Sequence, residues 1–173
     1  MAMVHGAVIT EERSQITSAS AETIWRVWSD TTTWPKWNPE VRAIELNGFF
    51  DDGVKGTMTT SAGTYDVALT DVLQEETFTM VTSQALLTTC YYRCTIRPLP
   101  DGRTQISESI SLRGPLSAVI GPKMRGRIAR GFEPTLKALA ARAERLEQQR
   151  GSQTVDEIGF AEMAPLGTSE GDA

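Results

Sequence analysis

The sequence predicts an α+β fold in which an antiparallel sheet is covered on one face by a long C-terminal helix. Three observations carry this. From Val41 onward apolar and polar residues alternate with period two for about seventy residues, broken only by short turn sequences. Near the C-terminus, Met124, Ile128, Phe132, Leu136, Leu139, Ala143 and Leu146 recur at spacings of three and four, which draws one apolar stripe along a helix. The strands are dry on one face and wet on the other, so the sheet needs a cover with such a stripe.

Taken in order, Val8–Ser18 reads as a strand with a solvated face. Ser20 then offers an N-cap, and Ile24, Trp25, Val27 and Trp28 make a short amphipathic helix that ends near Asp30. Pro35 and Pro39 prevent a long helix next, so Trp34 to Asn38 is a helical turn or tight loop. The meander comprises Val41–Leu46, Val54–Thr60, Thr64–Leu73, Thr77–Ser83, Leu86–Arg97 and Arg103–Arg113. Asn47-Gly48, Asp51-Asp52-Gly53, Ala62-Gly63, Gln74-Glu75-Glu76 and Pro100-Asp101-Gly102 mark its turns. In the last strand Ile106, Ile110 and Leu112 share the dry face. In the strand before it, Leu86, Cys90, Tyr92, Cys94 and Ile96 do so.

The helical run Pro115–Arg150 divides on closer reading. Gly121-Pro122 is expected to cut off Pro115–Gly121 as a separate gate over the sheet, with the main helix starting at Pro122. Gly131 and Pro134 predict a kink. After Arg150 the periodicity stops, so the expected organisation is one domain over 1–150 and an acidic, disordered tail over 151–173.

Charge and composition exclude several functions. The chain has 173 residues and a net charge of −5, and the tail beyond Arg150 holds five acids and no base. The remainder is neutral, without the basic surface that nucleic acid or an anionic membrane requires. Cys90 and Cys94 lie four apart in one strand, about 13 Å at strand spacing, too far for a disulfide. No Cys-His cluster suggests zinc, and His5 is the only histidine, so neither a metal nor a Ser-His-Asp triad is expected. No glycine-rich phosphate loop implies a nucleotide, and no cofactor is expected. There is no signal-peptide pattern at the N-terminus and no membrane span, so a cytoplasmic monomer or weak homodimer is the expectation.

Residues 18–40, with Trp25 or Trp28 in the first helix, Asp30 at its end and the Trp34-Pro35-Lys36-Trp37 turn, resemble the START-like or SRPBCC superfamily, and within it the polyketide cyclase/dehydrase-type proteins. Gly53 to Thr57, a G-x-x-G-T, matches that family's strand-entry pattern. The resemblance covers about residues 6–148. It implies a Bet v 1-like helix-grip fold, a curved antiparallel sheet of about seven strands wrapped around the C-terminal helix, with an apolar cavity between them.

A cavity of that kind directs attention to polar residues at inward parity. Glu108 lies between Ile106 and Ile110, where burial raises a carboxyl pKa and suits it to proton transfer or ligand anchoring. Tyr92 and Tyr65 share inward parity, and Arg127 lies beside Met124 and Ile128 on the helix. Met58, Val67, Phe78, Met80, Cys90, Ile110, Met124 and Ile128 complete the expected wall, with Trp34 and Trp37 at its rim. Two functions compete. One is the binding of a small hydrophobic ligand, lipid-like or polycyclic aromatic. The other is a cofactor-free polyketide cyclase, aromatase or dehydratase with Glu108, Tyr92 and Arg127 as acid–base groups.

Overall fold

The computed structural model describes residues 9–84, 88–114 and 117–162. Its elements follow the expected order: β1 (Ile9–Thr17), α1 (Ala21–Ser29), a 3-10 turn (Thr31–Thr33), α2 (Trp34–Trp37), β2 (Val41–Leu46), β3 (Lys55–Thr60), β4 (Gly63–Leu73), β5 (Thr77–Gln84), β6 (Thr88–Pro98), β7 (Thr104–Arg113) and α3 (Ser117–Glu162). Ser20 caps α1, its hydroxyl accepting from the Thr23 amide at 3.3 Å.

The strands form one antiparallel sheet in the order β1-β7-β6-β5-β4-β3-β2. Every neighbouring pair from β2 to β7 is consecutive in sequence, and β1 joins the far edge beside β7. The meander is therefore built of local hairpins, and its turns set the register. A register shift lies between Thr70 and Leu73, where Asp71 adopts φ 53° and is exposed. That irregularity takes Asp71 out of the inward alternation of Tyr65, Val67 and Leu69.

α3 packs on β1 and β7 and touches α1 and α2. Among its described apolar side chains Phe132, Leu136, Leu139, Ala140 and Ala143 are buried, Leu139 and Ala143 completely so. Trp28 and Trp25 seat α1 on the sheet through edge-on contacts with Phe78, at 5.3 and 6.3 Å between ring centroids. The main core joins α1, α2 and α3 to β2, β4, β5, β6 and β7. A smaller cluster gathers Cys90, Ile110, Leu112 and Phe132.

Two expectations about the C-terminal region are corrected. α3 starts at Ser117 and is unbroken through Gly121 and Pro122, so there is no separate gate. One proline forfeits one backbone bond, and the packing of the following turns on β1, β7 and α1 outweighs that loss. Gly131 and Pro134, where a kink is expected, lie inside α3. Nor does helix end at Arg150. It continues to Glu162, and the Ser152 hydroxyl donates to the Gln148 carbonyl at 3.1 Å, one turn back. His5, Leu86 and Pro115 lie outside the described residues.

Candidate functional site

A cavity of about 510 Å³ opens between the inner face of the sheet and the side of α3 around Gly131, Phe132 and Thr135. Its position follows from the packing: α3 lies over β1 and β7, at one end of the sheet. Toward β3, β4 and β5 the inner face is left to α1, α2 and the cavity. The aromatic cluster closes one end, with Trp28 and Phe78 in its wall. At the mouth, Glu40 reaches across α3. A Cβ on Gly131 would come within 3.1 Å of the Glu40 carboxyl carbon, so only glycine leaves that side chain its full room.

Of the expected residues, Trp34, Trp37, Met58, Tyr65, Phe78, Met80, Tyr92 and Glu108 line this cavity. Alternation explains why: Phe78 and Met80 on β5, Tyr92 on β6 and Glu108 on β7 all project from the same face. Val67, Cys90 and Ile110 have the right parity but are packed into the core. Their side chains are filled around by neighbours at positions where no cavity space remains. The side chains of Met124, Arg127 and Ile128 lie outside the described residues.

Glu108 is buried, 9% exposed, and lies opposite Arg13 in the β1–β7 register and opposite Cys94 in the β6–β7 register. Arg13 does not neutralise it. Its guanidinium instead meets Glu11 Oε2 at 3.1 Å and the Glu12 carbonyl at 2.7 Å, near the surface. Burial pushes the Glu108 carboxyl up to about 8. At neutral pH it is mostly protonated and presents an O–H donor to the cavity. Burial, helped by the neighbouring Cys90 and Tyr65, holds the Tyr92 hydroxyl well above its ordinary value. Burial also pushes the Cys90 thiol up to about 11 and that of Cys94 well above the usual range, so neither is a thiolate nucleophile at neutral pH. Among the described residues no group of acids, cysteines and histidines is arranged to hold a metal, and no helix is long and apolar enough to cross a membrane.

The structure adds residues that the sequence reading did not select. Trp28, Asn38, Glu40, Thr82, Cys94 and Thr135 also line the cavity. Thr82 was discoverable, because it continues the inward series of Phe78 and Met80. Asn38 and Glu40 were not, because irregular backbone offers no parity to read.

The fold recurs in proteins of known structure. A START superfamily protein from Mycobacterium smegmatis superposes with a TM-score of 0.62 at 22% identity, covering 79% of this chain and 98% of its own. Norcoclaurine synthase of Thalictrum flavum, in a point-mutant complex with a transition-state analogue, gives 0.66 at 15% identity, covering 84% and 99%. A protein of unknown function from Staphylococcus aureus gives 0.64 at 15% identity, covering 84% and 99%. At these identities the likeness is one of fold. No curated protein sequence matches the chain. The family model described as polyketide cyclase/dehydrase and lipid transport matches residues 8–144, from the first strand into the second half of α3. That match makes the chain a member of the polyketide cyclase/dehydrase and lipid transport family, and its helix-grip architecture is the fold of the START superfamily protein.

Proposed function

We propose that this protein binds a small hydrophobic ligand, lipid-like or polycyclic aromatic, in the cavity between the sheet and α3. The observation that carries the reading is the cavity itself. About 510 Å³ is enclosed by Trp28, Trp34, Trp37, Met58, Phe78 and Met80, side chains that offer apolar and aromatic contact rather than charge. Family membership supports it, since the family description includes lipid transport. Methionine walls adapt to ligands of different outline, because the unbranched side chain repacks at little cost.

Nile red, a neutral dye that brightens in apolar surroundings, tests the reading. Its fluorescence is expected to rise on titration with the protein. Met80→Trp, which fills the cavity from β5, is expected to abolish the rise while thermal unfolding remains cooperative. No brightening with the wild type, or equal brightening with a folded Met80→Trp variant, would reject the proposal. Native mass spectrometry of the purified protein then searches for the natural ligand as a co-purified mass.

One observation favours a second reading. Glu108 is a buried carboxyl whose pKa, about 8, lies close to neutral pH, the condition for an efficient general acid. A cyclase- or dehydratase-type reaction would use it to protonate a substrate oxygen in the same cavity, and a structural neighbour is named a synthase. Glu108→Gln separates the readings. A carrier retains its ligand within a modest change of affinity. An enzyme retains the ligand and loses turnover.

A further inference from the structure

Among the described residues three large apolar side chains are exposed, and Phe49 stands apart from the other two. It is 93% exposed, against 55% for Leu73 and 44% for Ile16. Its neighbour does the reverse. Phe50 turns inward and meets Trp25 and Phe78 edge-on, at 5.7 and 4.9 Å between ring centroids. One phenylalanine of the β2–β3 loop therefore completes the core, and the one before it contributes nothing there.

The loop that presents Phe49 is braced. The Asn47 amide donates to the Lys55 carbonyl at 2.8 Å and closes its base. The Gly53 amide donates to the Leu69 carbonyl, and the Leu69 amide to the Val54 carbonyl, both at 2.8 Å. The Asp52 carboxylate accepts from the Val72 amide at 3.3 Å. Covering a side chain held in this way costs little ordering of the backbone beneath it. The bond to Val72 also fastens the loop to the end of β4, where Leu73 comes next. Single exposed apolar residues are ordinary. Here two of the three share one corner of the sheet.

That corner is acidic. Lys55 is the only base between Arg42 and Arg93. Asp51 and Asp52 lie on the loop, and Asp71, Glu75 and Glu76 lie around the β4–β5 turn. Four of these acids are exposed and Glu75 is half-buried. None of the five forms an ion pair with a described cation. On α1, which reaches the loop through Trp25, Arg26 is taken by Glu22 at 3.1 Å.

We propose that this corner docks a partner protein whose contact surface is apolar at its centre and basic at its rim, with Phe49 as the inserted knob. An aromatic anchor inside a polar ring is the usual anatomy of a protein interface. The unpaired carboxylates choose the partner's sign. A second copy of this chain would set the same acids against each other, and an anionic bilayer would be repelled. The corner also lies away from the cavity opening. It is formed where β2 and β4 end, whereas the β3–β4 turn, which lines the cavity, is at the other end of the strands. A docked partner therefore leaves the cavity open.

The probe is a short amphipathic helical peptide of lysine and leucine, followed by fluorescence anisotropy at neutral pH. A glutamate–leucine and a lysine–serine peptide of the same pattern are the controls. The lysine–leucine peptide is expected to bind about tenfold or more tighter than either control, and to weaken as salt is raised. Phe49→Ser should weaken it about tenfold. A Glu75→Gln, Glu76→Gln double variant should weaken it and flatten its salt dependence. Thermal unfolding verifies that the variants fold. Ile16→Ser, an exposed apolar position on another strand, and Met80→Trp, which fills the cavity, should leave peptide binding unchanged. The proposal is overturned if the wild type does not bind the lysine–leucine peptide, if Phe49→Ser binds it equally, or if the glutamate–leucine peptide binds as tightly. Self-association in sedimentation velocity that Phe49→Ser abolishes would also overturn it, because the occupant would be a second copy. So would Phe49-dependent sedimentation with phosphatidylcholine or phosphatidylglycerol vesicles, because the occupant would be a membrane.

Discussion

Gly56 decides how closely β2 and β3 can approach. A Cβ built there would lie 2.0 Å from the Glu45 carbonyl oxygen and 2.9 Å from the Leu46 Cα, and neither backbone atom can yield as a flexible side chain does. Gly56→Ala must therefore push the hairpin apart. We expect it to cost about 3 kcal/mol, read as a lower urea midpoint with an unchanged slope. Gly102→Ala provides the control. Its Cβ meets nothing within 4 Å, and its cost comes only from the positive φ of 81°, about 1 kcal/mol. If the two losses are equal, steric contact at Gly56 is not what matters. The G-x-x-G-T pattern was visible in the sequence, but its reason was not, because the clashing atoms belong to a strand ten residues away in the chain. The candidate site divides in the same way. Strand parity brought Phe78, Met80, Tyr92 and Glu108 together on one wall. Whether an inward residue meets packed neighbours, like Val67 and Cys90, or open space, like Met58 and Tyr65, depends on volumes that parity does not encode.

Between elements, the firmest polar join ties α3 to the start of α1. Glu144 accepts from the Thr17 hydroxyl at 2.6 Å, the Ser18 amide at 3.2 Å and the Ser18 hydroxyl at 3.3 Å. One turn on, Glu147 accepts from the Ser20 amide at 2.7 Å and the Ser20 hydroxyl at 2.6 Å. Both carboxylates thus meet the donors at the N-terminus of α1, where the helix dipole also favours negative charge. The Thr17 hydroxyl, assisted by Ser18, holds Glu144 below the usual carboxylate range. For Glu147 burial opposes ionisation, but the hydroxyl and amide of Ser20 outweigh it and the net shift is downward. Glu144→Gln and Glu147→Gln should each cost about 1 kcal/mol at neutral pH, since the groups are partly solvated. The cost should shrink near pH 3, because a lowered carboxylate stabilises above its unfolded pKa and stops doing so as pH falls through its folded one. A loss that is as large in acid as at neutrality would show that shape, not charge, matters. Nothing in the neighbouring sequence singles out Glu144. Its donors lie about 126 residues upstream in the chain, beyond the reach of any local pattern. The strands were legible because alternation and turn residues are local, whereas the expected break at Pro122 gave a local rule priority over tertiary packing.

At the scale of the whole molecule, these acids and Glu108 pull stability in opposite directions along the pH axis. Glu108 faces Arg13 across β1, but that guanidinium is engaged by Glu11 and the Glu12 carbonyl. From β6 it faces Cys94 and Tyr92, both neutral at physiological pH. From α3, Thr135 lines the same cavity, while Glu133 is exposed and paired with Lys137 at 2.6 Å. Nothing among these compensates a buried negative charge. The folded state therefore keeps the Glu108 proton up to about pH 8, while the unfolded chain releases it near 4.5. Between those values the folded state binds more protons, so stability falls as pH rises, by an upper limit on the order of 5 kcal/mol. Against a typical total of roughly 5–15 kcal/mol that is a large share. Below about pH 4.5 the lowered acids, Glu144 and Glu147 among them, give the opposite slope. The melting temperature should accordingly peak near pH 5 and decline toward pH 8.5. Glu108→Gln keeps the shape, cannot ionise, and should flatten the alkaline decline while leaving the acid limb in place. Parallel profiles for wild type and variant would mean that Glu108 is ionised in the folded protein. The carboxyl would then be no general acid at neutral pH, and the second reading of the cavity would lose the observation that favours it.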